Sequence, residues 1–130
     1  MPKGYMISAH RKEADPVKRA AYLELAGPAI EAAGGRFLAK GGRAQARENG
    51  IAGRTILIEF DSYEAAVATY DSKLYKEALR ALEGGADRDI RLFEGVEWQP
   101  YGISTDFKLL NFIGRAKQHY TDYILLNLET

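Results

Sequence analysis

Two glycine pairs set the plan of this chain. Gly34-Gly35 and Gly84-Gly85 each follow a stretch with helical spacing and precede a short apolar run. Glycine stops a helix because it accepts the left-handed conformation found at the helix end. Ahead of the first pair, Tyr5–His10 reads as a strand, ended by the charges of Arg11-Lys12-Glu13. Asp15-Pro16 then opens a helix: Asp accepts from the free amides of the first turn, and Pro at the first position loses no bond. Val17, Ala21, Leu25 and Ala29 recur every four residues, with Ile30 and Ala33 beside them, which predicts one apolar helix face. Gly27-Pro28 predicts a kink or a break, because Pro28 cannot donate to the carbonyl of Glu24.

Between the glycine pairs, residues 36–40 read as a second strand. Gly41-Gly42 is expected to bend or bulge it, with residues 43–47 continuing. Glu48-Asn49-Gly50 and Ala52-Gly53 are turn chemistry. Residues 54–60 form the clearest strand, apolar on both faces and therefore covered on both sides. Asp61-Ser62 caps a second helix, and Asp71-Ser72 predicts that it breaks and restarts at Lys73, with Leu74, Ala78 and Leu82 at helical spacing. Residues 89–96 make the last strand, with Ile90 and Leu92 on one face. Strand, helix, strand, strand, helix, strand is the split βαβ order. The expected fold is α+β and ferredoxin-like, a four-stranded antiparallel sheet with two helices on one face. No element within residues 1–97 is left for the other, apolar face. Two such sheets packed face to face would make a symmetric homodimer.

The residues carrying this plan resemble a known family. Lys3-Gly4-Tyr5, Asp15-Pro16, Gly34-Gly35-Arg36-Phe37-Leu38, Gly41-Gly42, Ile58-Glu59-Phe60 with Ser62, Tyr70-Asp71-Ser72, Tyr75 and Glu94-Gly95-Val96 resemble domain-of-unknown-function family 1330, within the dimeric α/β-barrel superfamily. The resemblance spans about residues 2–97. It implies a homodimer whose two sheets form a barrel, and it implies no established activity, so no catalytic residue carries over. The chain departs from the family twice. Members often carry Arg seven residues after the Tyr matched by Tyr75, where this chain has Leu82, with Arg80 nearby on another part of the helix. The family domain also ends soon after Glu-Gly-Val, whereas 33 residues follow Glu97 here. That division gives a domain at 1–97 and an extension at 98–130. The extension holds six of the chain's 14 aromatic residues, so it is expected to pack on the domain or its dimer mate, or to act as a lid.

Composition removes several function classes. Eighteen basic residues balance 18 acidic ones, which argues against nucleic-acid binding through a general basic field. With Cys absent there is no disulfide, thiol nucleophile or cysteine metal site. The two histidines, His10 and His119, form no metal motif, and no cofactor motif is present. No apolar run is long enough to span a membrane, and no basic stretch with an apolar run opens the chain, so a cytoplasmic location is expected.

What remains is a short set of candidates. His10, at a strand end, is either a general base or an ordinary polar residue. Glu59 and Glu94 each end an apolar strand; by alternation Glu94 shares a face with Ile90 and Leu92, and Glu59 with Leu57. Either carboxylate could be an acid or base beside a barrel interior, or a strand-end ion pair with Arg36 or Arg54. Residues 36–54 carry Arg36, Lys40, Arg43, Arg47 and Arg54 against Glu48, which is either an anion site or a solvated face. Tyr22, Tyr70 and Tyr75 on the helices either line a pocket or belong to core and interface. Three functions stay open: a homodimer binding a small, anionic or aromatic molecule in a cavity at the side of the barrel; a cofactor-independent monooxygenase-like or isomerase-like enzyme, by analogy of fold; and an interaction protein without a small-molecule site.

Overall fold

The computed structural model describes residues 2–97. The extension at 98–130, expected to pack over the domain, lies outside the described residues, as does His119. Strand β1 (Gly4–His10) leads to helix α1 (Pro16–Ala32), then β2 (Arg36–Lys40) and β3 (Thr55–Phe60). Helices α2 (Tyr63–Tyr70) and α3 (Lys73–Leu82) follow, and β4 (Arg88–Glu94) closes the sheet. The sheet order is β2-β3-β1-β4, and every pairing is antiparallel. This is the ferredoxin-like order, with the second helical segment split in two at Asp71-Ser72 as the caps foretell.

The caps work through defined bonds. The Asp15 carboxylate accepts from the amides of Val17 and Lys18, both at 3.0 Å. Ser62 Oγ accepts from Ala65 N at 3.1 Å, and Ser72 Oγ from Tyr75 N at 3.2 Å. Alternation places Met6, Ser8 and His10 of β1 and Ile56, Ile58 and Phe60 of β3 beneath the helices. There they meet Tyr22, Ala26 and Ile30 of α1, Ala66 of α2, and Tyr75, Ala78 and Leu82 of α3 in one core. Phe60, Tyr75 and Ala78 have no exposed surface at all. Gly4 is required here: a Cβ would stand 2.2 Å from the carbonyl oxygen of Ser62.

Three expectations need correction. The buried face of α1 is Tyr22, Ala26, Ala29 and Ile30, while Val17 is 77% exposed and Leu25 43%. Two apolar columns run up this helix, and packing chooses between them. Ala26 lets α3 approach closely, and the Tyr22 hydroxyl finds a partner on Tyr75. Secondly, α1 runs through Pro28 without a break. Pro28 and Glu24 sit on the exposed side, so the missing bond falls where the carbonyl faces water, while Ala29 and Ile30 anchor the helix end. Thirdly, β2 ends at Lys40. Its irregularity lies between Phe37 and Ala39, and residues 41–54 form a loop rather than a continued strand.

Candidate functional site

Three neighbouring strands deliver charge to one end of the covered face. His10 ends β1 and is the register partner of Arg88, the first residue of β4. On its other side, the His10 amide donates to the Arg54 carbonyl at 3.0 Å, just ahead of β3. Arg19 comes down from α1, three residues before Tyr22. The surrounding loops are tied in place by backbone bonds. Arg11 N donates to Asp87 O at 2.8 Å, Asp15 N to Gly85 O at 2.7 Å, and Gly41 N to Thr55 O at 3.0 Å. The Lys18 ammonium adds a bond of 2.9 Å to the Glu83 carbonyl at the end of α3.

The His10 side chain and the three guanidiniums form an unusual group. His10 is only 6% exposed, and its ring has no hydrogen-bond partner among the described residues. Arg19, Arg54 and Arg88 have no carboxylate partner among the described residues either. Arg88 instead donates to the Tyr22 hydroxyl at 3.2 Å and lies 4.9 Å from the Tyr22 ring centre. Tyr22 and Tyr75 share a short hydrogen bond, and burial, reinforced by Tyr22, holds the Tyr75 hydroxyl far above its ordinary pKa, so it stays neutral. Burial, then the like charges of Arg88, Arg54 and Arg19, lowers the His10 pKa below its ordinary value of 6.5. The imidazole is therefore an uncharged base at neutral pH.

This group borders two spaces. An open cleft of about 690 Å³ lies between the loop after β1 and the loop before β3. Four basic residues line it, Arg11, Lys12, Arg19 and Arg54, against one acidic residue, Glu13. Its size suits a small molecule. An inner cavity of about 10 Å³, room for one water-sized atom, lies beside Tyr22, Leu82 and Arg88. His10, Arg19 and Arg54 border both spaces. Leu82, where the resembled family often has Arg, faces the inner cavity, and Arg80 is exposed elsewhere on α3.

The other sequence candidates do not gather here. Glu59 lies on the opposite sheet face, where Tyr5 Oη donates to it at 3.0 Å and Arg36 pairs with it. That bond and the Glu59 charge raise the pKa of the Tyr5 phenol. Glu94 is exposed at the sheet corner opposite Gly4, away from any interior. The basic run of 36–54 disperses. Arg36 goes to Glu59, Lys40 lies over the Phe37 ring, Arg43 is exposed, and Arg47 bonds to Ala46 and Gln45. Only Arg54 reaches the cleft. Tyr22 and Tyr75 are buried behind the inner cavity, and Tyr70 packs on Tyr75 with ring centres 5.0 Å apart. Arg19 and Arg88 were not among the candidates. Alternation from Ile90 and Leu92 back to Arg88, and the helical step from Tyr22 back to Arg19, carry the signal that finds them.

No group of three or more His, Asp or Glu side chains able to hold a metal occurs among the described residues. No described helix is long and apolar enough to cross a membrane.

Comparison with known proteins bears on the fold and the family. A model of a domain of unknown function, DUF1330, matches residues 3–96. The chain belongs to this family. In crystal structures it is similar to a protein of unknown function from Rhodopseudomonas palustris, with 19% identity and a TM-score of 0.57 over 75% of this chain and 85% of that one. The methylated form of that protein gives 19% identity and a TM-score of 0.58, over 78% and 84%. A dimeric ferredoxin-like protein of unknown function from Thermobifida fusca YX has 14% identity and a TM-score of 0.42, over 72% and 91%. No curated protein matches. At these identities the DUF1330 domain shares a fold with the Rhodopseudomonas protein, and the chemistry has to be argued from its own residues.

Proposed function

We propose that this DUF1330 domain is a self-associating binding protein whose cleft takes a small molecule carrying a carboxylate or phosphate. One observation carries the reading: Arg19, Arg54 and Arg88 converge on a nine-tenths buried His10, and among the described residues neither its ring has a hydrogen-bond partner nor any of the three an ion-paired carboxylate. Bringing like charges together costs energy that a bound anion returns, and guanidiniums recognise carboxylate and phosphate oxygens in pairs. Thermal melting of the full chain with millimolar inorganic phosphate, acetate, malonate or benzoate tests it. At a hundredfold excess over Kd a ligand stabilises by about 2.7 kcal/mol. At least one anion should raise Tm, and Arg54→Gln and Arg19→Gln should remove the effect. Unchanged melting with all four would sink the reading.

Self-association rests on the free sheet face. Tyr5, Ile7, Ala9, Leu57 and Phe93 alternate away from the helices, and no described element covers them. Tyr5 and Phe93 stack there with ring centres 5.5 Å apart. A second copy of the same sheet is the occupant with matching shape and polarity. Native mass spectrometry should give a mass of two 14.4 kDa chains; a monomer at micromolar concentration would refute the pairing.

A further inference from the structure

The cleft offers more than positive charge. It is bordered by a nine-tenths buried imidazole without a hydrogen-bond partner among the described residues, and guanidiniums stand on β4, at the head of β3 and on α1 around it. A purely electrostatic anion site has no use for a free base at its centre. Resting on the anion-site reading, we infer that His10 is a general base that removes a proton from the carbon beside the carbonyl of a bound oxo acid, with Arg19 and Arg54, which line the cleft with it, holding the enolate oxygens.

The step is balanced and needs no co-reactant. One C–H bond breaks and one N–H bond forms on the imidazole. The bonding pair becomes the carbon–carbon double bond of the enolate, and the negative charge passes to its oxygen. Return of the proton, or of one from solvent, to the same carbon gives exchange with solvent; return to the enolate oxygen gives the enol tautomer. The surroundings suit each half. Before transfer the guanidiniums favour the neutral imidazole. After transfer the imidazolium faces an enolate held by fixed cations, and electrostatic stabilisation of developing charge is the largest lever a site has. The weak basicity of His10 also defines the substrate. A carboxylic acid without a second carbonyl has too reluctant a C–H, so the substrate is a 2-oxo or 3-oxo acid. The groups facing His10 are Arg88 from β4, Arg54 from the head of β3, Arg19 and Tyr22 from α1, Tyr75 of α3 behind Tyr22, and Glu13 across the cleft.

Proton NMR of the full-length protein in D2O, with pyruvate, acetoacetate or phenylpyruvate as probe, decides the matter. Wild-type protein should accelerate loss of the proton signal beside the carbonyl by about a hundredfold or more over buffer for at least one probe. The rate should fall on acidification with an inflection below 6.5. His10→Gln and His10→Asn should lose the acceleration while the probe still raises Tm, and Arg54→Gln should lose both. A probe that raises Tm through Arg54 yet exchanges at the buffer rate overturns the base and leaves the anion site standing. Probes that neither bind nor exchange overturn both. Acceleration that survives both His10 variants assigns the base elsewhere and overturns the inference.

Discussion

The two faces of this sheet handle charge in opposite ways. On the free face the charges are satisfied internally: Arg36 pairs with Glu59, which also accepts from Tyr5, and Arg91 pairs with Asp89 through two bonds. On the covered face, at the end where β1, β3 and β4 meet α1, three guanidiniums surround a histidine and no carboxylate answers them among the described residues. A surface meant to be buried against a copy of itself cannot carry loose charge, because desolvating an unpaired ion is costly. A ligand site must carry it, because the ligand completes the balance. The proposed reading gives the free face to association and the covered end to binding, and each substitution below strikes at one side of it.

The largest effect belongs to the covered face. Phe60→Ala removes a ring with no exposed surface and should cost about 3–5 kcal/mol in denaturant unfolding. Phe93→Ala, on the free face and 41% exposed, should cost under about 1 kcal/mol in the separated chain. It should instead weaken association, seen as a concentration-dependent loss of dimer in sedimentation. Equal losses of monomer stability would erase the distinction between the faces. Backbone crowding comes next. Gly4→Ala meets the Ser62 carbonyl oxygen at 2.2 Å, so β1 or the α2 cap has to move, at about 1–3 kcal/mol. Gly42→Ala meets nothing within 4 Å, and its melting temperature should hold or rise slightly.

Glu59→Gln sharpens the free-face half. Arg36 is 56% exposed, so the pair contributes only about 0.5–1 kcal/mol in the separated chain. Buried against a second copy, an uncompensated Arg36 costs more. The dissociation constant of the dimer should therefore rise well beyond what the monomer's small loss accounts for. A dimer indifferent to Glu59→Gln would move the interface away from this face.

How much of this was legible in the residues differs by element. Caps are local chemistry, so Asp15, Ser62 and Ser72 announced their helices, and the apolar run within residues 54–60 announced the strand β3, although its alternating burial, with only one face beneath the helices, was not read. The face of α1 was not legible, because Val17-Ala21-Leu25 and Tyr22-Ala26-Ile30 are both apolar columns and only contact with α3 chooses. Family 1330 was readable from motifs spread along the first 97 residues, and the match over residues 3–96 agrees. The cationic end was half hidden. His10 stood out by composition, but Arg19, Arg54 and Arg88 lie 35 and 34 residues apart in the chain and meet only through sheet register. The conspicuous basic run at 36–54 pointed to one of them and dispersed the rest.

The smallest effect tests the covered end by pH. The His10 pKa is depressed in the folded protein, so between that value and 6.5 the unfolded chain binds more protons than the folded one. His10 therefore contributes its stability in full above 6.5, and that contribution falls as the pH drops towards the depressed value, below which the loss levels off. Melting curves from pH 7.5 to pH 4.5, compared between wild type and His10→Gln, isolate it. The variant should lose the His10 part of the acid-side decline and keep the rest. Arg88→Gln then separates causes. With one like charge gone from the neighbouring strand, the His10 ring signals in NMR should titrate closer to 6.5, and the acid-side decline should begin at the same pH and end sooner. Burial alone would leave both unchanged, and the cluster would then be three separate arginines rather than one site.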